Sequence, residues 1–323
     1  MFTVFDKKEA FTAGSTTDEL SIQNISSARA NLPLFEYCIK ASYNSAYDGT
    51  NVSLLALDNV ISRGCRFLDF EIYSIDDSPS VAYSVDKTFS TLTSGNSLLL
   101  KDVFNEIIGN CFSGNAPNPR DPMFIHLRIN TTCGLNNQSA CSIYQDVAKV
   151  IDTTLLPKLY VDASGNAVQI TGSSILADMA GKIVLVMDAS INRDYKNYAK
   201  CDSDENCYNL QKYVNVESGG NVWCKFKFSD FINQKENPLI VDSTNSMLAE
   251  PSSGVLTLQM VLPDVGSHVQ NSSFPLTNIS IFGCQTIAMK FYKKDIALKE
   301  YEAMFNEYNT AFLPLGYTIQ YLK

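Results

Sequence analysis

Hydrophobic spacing along this chain switches repeatedly between the period of a strand and the period of a helix. Residues 34–42 (LFEYCIKAS) form an apolar run of strand length. NVSLLALDNVISRG then sets Leu54, Leu55, Leu57, Val60 and Ile61 on a helical stripe that stops at Gly64. In FLDFEIY the acids alternate with apolar positions, which puts Asp69 and Glu71 on one face of a second strand. Residues 97–112 predict a helix with Leu99, Val103, Phe104 and Ile107 on one side. Residues 123–130 (MFIHLRIN) predict a strand on which His126, Arg128 and Asn130 face together. SIYQDVAKVIDTTLLPKLY reads as a helix ending near Pro157, and 181–188 (GKIVLVMD) as a strand covered on both faces. LTLQMVLP and CQTIAMKFY supply two later strands. Residues 293–312 close as an amphipathic helix, and GYTIQYLK as a terminal strand or tail.

Two stretches break this rhythm. Residues 1–30 are polar and rich in Ser and Thr, and predict an N-terminal arm ahead of a domain spanning 31–323. Residues 192–253 contain CDSDENC, ESGGN and EPSSG and predict an irregular insertion. Strand and helix in alternation predict an α/β protein with a parallel sheet, and 323 residues suit a parallel α/β barrel.

Composition narrows the function classes. The chain is 45% hydrophobic and 18% charged, with a formal net charge of −9. That field repels phosphate backbones and anionic membrane surfaces, so nucleic acid is excluded as a partner. No basic start precedes an apolar stretch, so no secretory signal is expected, and no apolar run is long enough for a transmembrane segment. The expectation is a soluble intracellular protein in which the Asn-x-Ser/Thr sites arise by chance. Nine cysteines without a signal favour reduced thiols; Cys133 with Cys141 and Cys201 with Cys207 are the two pairs close enough in sequence to bond. No zinc spacing is present. With only His126 and His268, and no G-x-S-x-G elbow, there is little material for a Ser-His-Asp triad.

Four motifs carry a resemblance. They are Ser42-Tyr43-Asn44-Ser45, Gly64-Cys65-Arg66-Phe67-Leu68-Asp69-Phe70-Glu71, Met260-Val261-Leu262-Pro263 and Gly283-Cys284-Gln285. Across about residues 33–292 the chain resembles the phosphoinositide-specific phospholipase C family, in a divergent form similar to the phospholipase C-like proteins of large DNA viruses. The resemblance implies a TIM-type (β/α)8 barrel of the phospholipase C-like phosphodiesterase kind. It also implies that Asn44, Asp69 and Glu71 stand at calcium-ligand positions, with the two acids in swapped order. The family's two catalytic histidines correspond to Tyr43 and Tyr83, its further calcium-binding Glu to Arg128, and its phosphate- and inositol-contacting Arg and Tyr to Met260 and Leu262.

These departures fall on the chemistry. A tyrosine titrates about three units above neutrality, so a Tyr pair needs ~4 kcal/mol of environmental bias to act as base at pH 7. Calcium wants six or more oxygens, and Arg128 brings a fixed positive charge in place of a carboxylate. The expected reading is therefore an ion-pair cluster of Asp69, Glu71 and Arg128, with no catalytic residue and no cofactor. The implied function is a catalytically inactive barrel serving as a structural or binding protein, for example a virion- or capsid-associated component. Its partners are then other proteins, including subunits of a viral or other large assembly, met through the arm and the insertion. Two alternatives are an active phosphoric diester hydrolase that keeps calcium on Asn44, Asp69 and Glu71, and a non-cleaving binder of phospholipids or sugar phosphates.

Overall fold

The computed structural model describes residues 21–85, 91–133, 139–198, 200–201, 207–233, 257–264, 276 and 283–322. Eight parallel strands close on themselves: β1 Tyr37–Ser42, β2 Phe67–Ile75, β3 Met123–Ile129, β4 Ile183–Asp188, β5 Val216–Ser218, β6 Trp223–Lys227, β7 Leu258–Leu262 and β8 Thr286–Met289. Each pairs with the next, and Ile39 of β1 lies opposite Thr286 of β8, which completes the ring. Helices Leu54–Ser62, Leu100–Cys111, Ser142–Thr154 and Ile296–Glu307 cover the outside with their apolar stripes turned inward. Among the described residues, no helix is long and apolar enough to cross a membrane.

Side chains fill the barrel in layers. Phe67, Phe124 and Trp223 make an aromatic lower layer, with Trp223 5.8 Å from Phe67 and 6.0 Å from Phe124 between ring centres. Phe312 reaches the same layer from Phe312–Pro314, a strand antiparallel to β1. The register then sets Asp69 beside His126 and Glu71 beside Arg128 in the two layers above. Alternation along β2 and β3 therefore sends an aromatic floor, a middle acid and an upper acid into one column.

The motifs that remain intact are architectural. Gln285 closes the ring: its Nε2 donates to Phe35 O at 2.9 Å, and its Oε1 accepts from Gln259 N at 2.7 Å. Gly64 has φ +79°, and a Cβ there would meet Ile22 Cγ2 at 2.6 Å, so glycine is required where the chain's first described segment packs. Arg66 donates to the carbonyls of Cys111 and Asn118 and lies fully buried between barrel and helices.

Several expectations change. Of the expected arm, residues 1–20 lie outside the described residues, while 21–30 belong to the barrel: Ile22 is buried, and Ile25 N donates to Asp121 Oδ1 at 2.9 Å. The expected insertion at 192–253 supplies two barrel strands, β5 and β6. Only residues 219–222 join them, and Gly219, at φ +78°, passes so close that a Cβ would lie 2.7 Å from Ser190 Cβ. The strand expected over 34–42 starts at Tyr37, after a 3-10 turn at Leu34–Glu36. It ends at Ser42, because Asn44 turns the chain with φ +44°. Of GYTIQYLK, expected as a strand or tail, residues 316–322 fall within the helix Leu315–Leu322, which buries Leu315 and Thr318, and Lys323 lies outside the described residues. Cys133 and Cys141, expected reduced, form a disulfide, because the exit of β3 and the start of helix Ser142–Thr154 bring their Cα atoms within 4.7 Å. Cys38, Cys65, Cys111, Cys224 and Cys284 are free thiols. The backbones of Lys200–Cys201 and Cys207–Tyr208 pair, but the side chains of Cys201 and Cys207 lie outside the described residues.

Candidate functional site

The upper end of the barrel holds an ionic cluster built on strand alternation. Arg128 projects from β3 between the acids of β2. Its Nε donates to Asp69 Oδ1 at 2.8 Å, its Nη1 to Glu71 Oε1 at 2.8 Å, and its Nη2 to both Asp69 Oδ2 and Asn44 Oδ1 at 2.6 Å. Asn44 joins through its left-handed turn, which aims its backbone N–H at Asp69 Oδ2, 3.0 Å away. Glu71 Oε2 accepts from the Tyr73 hydroxyl at 2.7 Å and from Ser84 N at 3.2 Å. Every oxygen of both carboxylates is thus engaged.

Electrostatics follow from this packing. Burial alone would raise the Asp69 carboxyl, but the adjoining Arg128 charge and the hydrogen bonds from His126 and Arg128 hold it well below the usual carboxylate range. Burial alone would weaken the Arg128 guanidinium, and its acidic neighbours, Asp69 foremost, instead drive it above its ordinary value. The cluster is a buried ion-pair network with bidentate geometry at Asp69.

Tyr43 and Tyr83 sit beside this cluster. The Arg128 guanidinium carbon lies 4.8 Å from the centre of the Tyr43 ring, a cation–π contact. Tyr83 packs on Tyr47 at 4.5 Å, and Tyr47 on Tyr292 at 4.9 Å. Burial pushes the Tyr83 hydroxyl up to about 12, with the Glu71 charge adding to it, and burial raises Tyr43 further. Both shifts run opposite to what a general base at neutral pH needs. Met260 and Leu262 are buried in β7 and offer no charge to a phosphate.

A second line of groups was not legible in the sequence. His126 Nδ1 lies 2.7 Å from Asp69 Oδ1, and its Nε2 lies 2.8 Å from Ser218 Oγ. Serine, histidine and aspartate in that order match a hydrolase triad. Ser218 and His126 are 0% exposed, however, and Asp69 is already held by Arg128, so no acyl group can approach the Ser218 oxygen. The line is a cross-barrel brace from β2 to β5. Next to it Asp188 bonds Lys225 Nζ and Ser190 Oγ at 2.6 and 2.7 Å. Ser218 was hidden because it ends a three-residue strand; Tyr73 was within reach, as the next inward position after Asp69 and Glu71. His268 lies outside the described residues.

No family model matches the sequence, and no curated protein does either. Solved structures do match. PLC21 of L. pealei superposes with a TM-score of 0.61 at 14% identity, covering 88% of this chain and 37% of that one. PLC21 of S. officinalis gives 0.60 at 16%, covering 91% and 38%. The calcium-dependent phosphoinositol-specific phospholipase C of a Pseudomonas species gives 0.51 at 13%, covering 86% and 95%. This chain has the phospholipase C barrel fold. It spans well under half the length of the two PLC21 chains and nearly the whole of the bacterial enzyme.

The Pseudomonas enzyme is calcium-dependent, and the residues of this cluster can be set against what that metal needs. The donor set here is two carboxylates and one amide oxygen, and a guanidinium already bonds to all three side chains. Calcium needs six or more oxygens, and a site with a fixed cation at its centre repels a second one. As they stand, these residues do not fit calcium.

Proposed function

We propose that this chain is a phospholipase C-like barrel that does not cleave phosphodiesters and serves as a binding or structural component. The observation that carries this reading is the Arg128 guanidinium set between Asp69, Glu71 and Asn44. Supporting it, the tyrosines at the family's histidine positions are shifted away from neutrality, and Met260 and Leu262 replace charge with apolar surface. The partners we propose are other proteins, met through segments outside the barrel.

The test is release of inositol phosphate from phosphatidylinositol vesicles by the full chain, with and without calcium. No release above the buffer blank is expected, and placing histidine at both Tyr43 and Tyr83 leaves it there. Robust release by the unmodified chain overturns the reading. Micromolar calcium binding by calorimetry, abolished by Asp69→Asn, overturns the metal-free part of it.

A further inference from the structure

Beside the ionic cluster, and touching it only through Tyr73, a cleft of about 390 Å3 opens over the exits of β2 and β3. Its walls include Asp77, Asn130, Thr132, Ser139 and Ser142, with the Tyr73 side of β2 beneath. A volume of this order lies within the range of small-ligand sites. Among the described residues that line it there is no Lys, Arg or His, and most bear a hydroxyl or an amide.

The frame around the cleft is braced. The Cys133–Cys141 disulfide ties one wall to the start of helix Ser142–Thr154. Thr131 Oγ1 donates to Ala140 O at 3.0 Å and accepts from Cys133 N at 3.1 Å, stitching the same two segments together. On the opposite rim, Asp76 and Asp77 form the turn between β2 and the antiparallel strand Ser78–Val81, with φ of +49° and +55°. Such a turn ordinarily takes Asn-Gly, so carboxylates there are held against local preference. At the base, Asn130 is 5% exposed and faces the Tyr73 hydroxyl, but its Nδ2 closes no hydrogen bond of good geometry. A buried donor left open in this way costs about 1–3 kcal/mol.

Ligand chemistry follows from what the walls supply and lack. Among the described residues, an anion would meet Asp77 and no cation. An apolar ligand would meet hydroxyls. A polyol offers O–H groups that both donate and accept, which suits side-chain hydroxyls, an amide and a carboxylate able to take two donors from a vicinal diol. We propose that this cleft is a binding site for a neutral saccharide, with Asp77 as its principal acceptor. The site does not depend on whether the ionic cluster is catalytic.

The experiment is ligand-observed NMR and calorimetry on the full chain with neutral mono- and disaccharides, using glucose 6-phosphate as the charged counterpart and myo-inositol as a probe of the barrel mouth. Saturable binding of at least one neutral sugar is expected, stronger than that of the phosphorylated one. Asp77→Asn keeps a residue that tolerates the turn, and Thr132→Val alters an exposed position, so both variants should fold. Asp77→Asn should weaken binding about tenfold, the factor set by one hydrogen bond to a charged group; Thr132→Val should weaken it less. No binding by any neutral sugar across the millimolar range, preference for the phosphorylated sugar, or affinity unchanged by Asp77→Asn each overturns the assignment.

Discussion

Lys40 and Arg66, in the layer between barrel and helices, are as thoroughly buried as Arg128 in the barrel mouth, but the groups that hold them differ. Lys40 Nζ donates to Arg63 O at 2.6 Å, and Arg66 Nη1 to Cys111 O at 3.1 Å. Arg63 is the C-cap of one helix and Cys111 the last residue of another, so both cations satisfy carbonyls that a helix end leaves open, while Lys40 also pairs with Glu302 at 3.3 Å and Arg66 with Asn118 Oδ1 at 2.9 Å. Arg128 makes four hydrogen bonds, all to side chains. The outer cations complete secondary structure as well as meeting side chains. Arg128 answers to two acids, an amide and the Tyr43 ring, all of them side chains, so the backbone plan does not depend on it.

Four measurements press on this contrast. The largest effect is expected from Arg128→Met, which leaves Asp69 and Glu71 buried without a cation and should cost about 3–5 kcal/mol in urea unfolding at pH 7. The loss should shrink in acid, where protonation removes the stranded charge. A cost under about 1 kcal/mol would mean that the cluster is not a buried ion pair.

Next is the pH dependence, which should have opposite signs in the two regions. Asp69 titrates below its unfolded value, so the stability it contributes is present above about pH 4 and is lost as pH falls through its depressed folded value. Asp121, near Arg66, is raised by burial to about 6 although the Arg66 charge pulls it down. Its folded form keeps the proton longer, so stability falls as pH rises from about 4 to about 6, by an order of 3 kcal/mol. Asp121→Asn should flatten that limb of the stability–pH profile while leaving the acid limb intact.

Arg66→Met comes third. Orphaning the Cys111 and Asn118 carbonyls should cost about 1–3 kcal/mol. Addition of calcium should restore none of it. The smallest effect is expected for Tyr43→Phe, which keeps the ring beneath Arg128 and should shift stability by no more than about 0.5 kcal/mol. A larger change would show that the hydroxyl, rather than the ring face, supports the guanidinium.

How much of this could be read beforehand varied with strand length and period. β2, β3, β4, β7 and β8 have enough apolar or alternating positions to declare themselves, and alternation alone placed Asp69, Glu71 and Arg128 on inward faces. β5 has three residues, too few to carry a period, and β6 alternates Lys225 and Lys227 with Phe226 over only five residues inside an otherwise irregular stretch. They also lack the intervening helix that marks a parallel crossover. The cross-barrel partner of His126 was lost with β5. The disulfide was misjudged because compartment was inferred from the chain start, whereas the approach of two loop ends decided the pairing.

The clasp at Gln285 has a consequence for how the protein is made. Its hydrogen bond to Phe35 O joins groups 250 residues apart. At typical synthesis rates, roughly 12 to 50 s separate the appearance of those two positions. Until then β1 has no permanent neighbour on the side that β8 will take, and its edge is open to any other strand in reach. The ribosome-bound chain is thus an unclosed sheet until β8 emerges, and only then is it decided whether that edge meets its own partner or a stranger's.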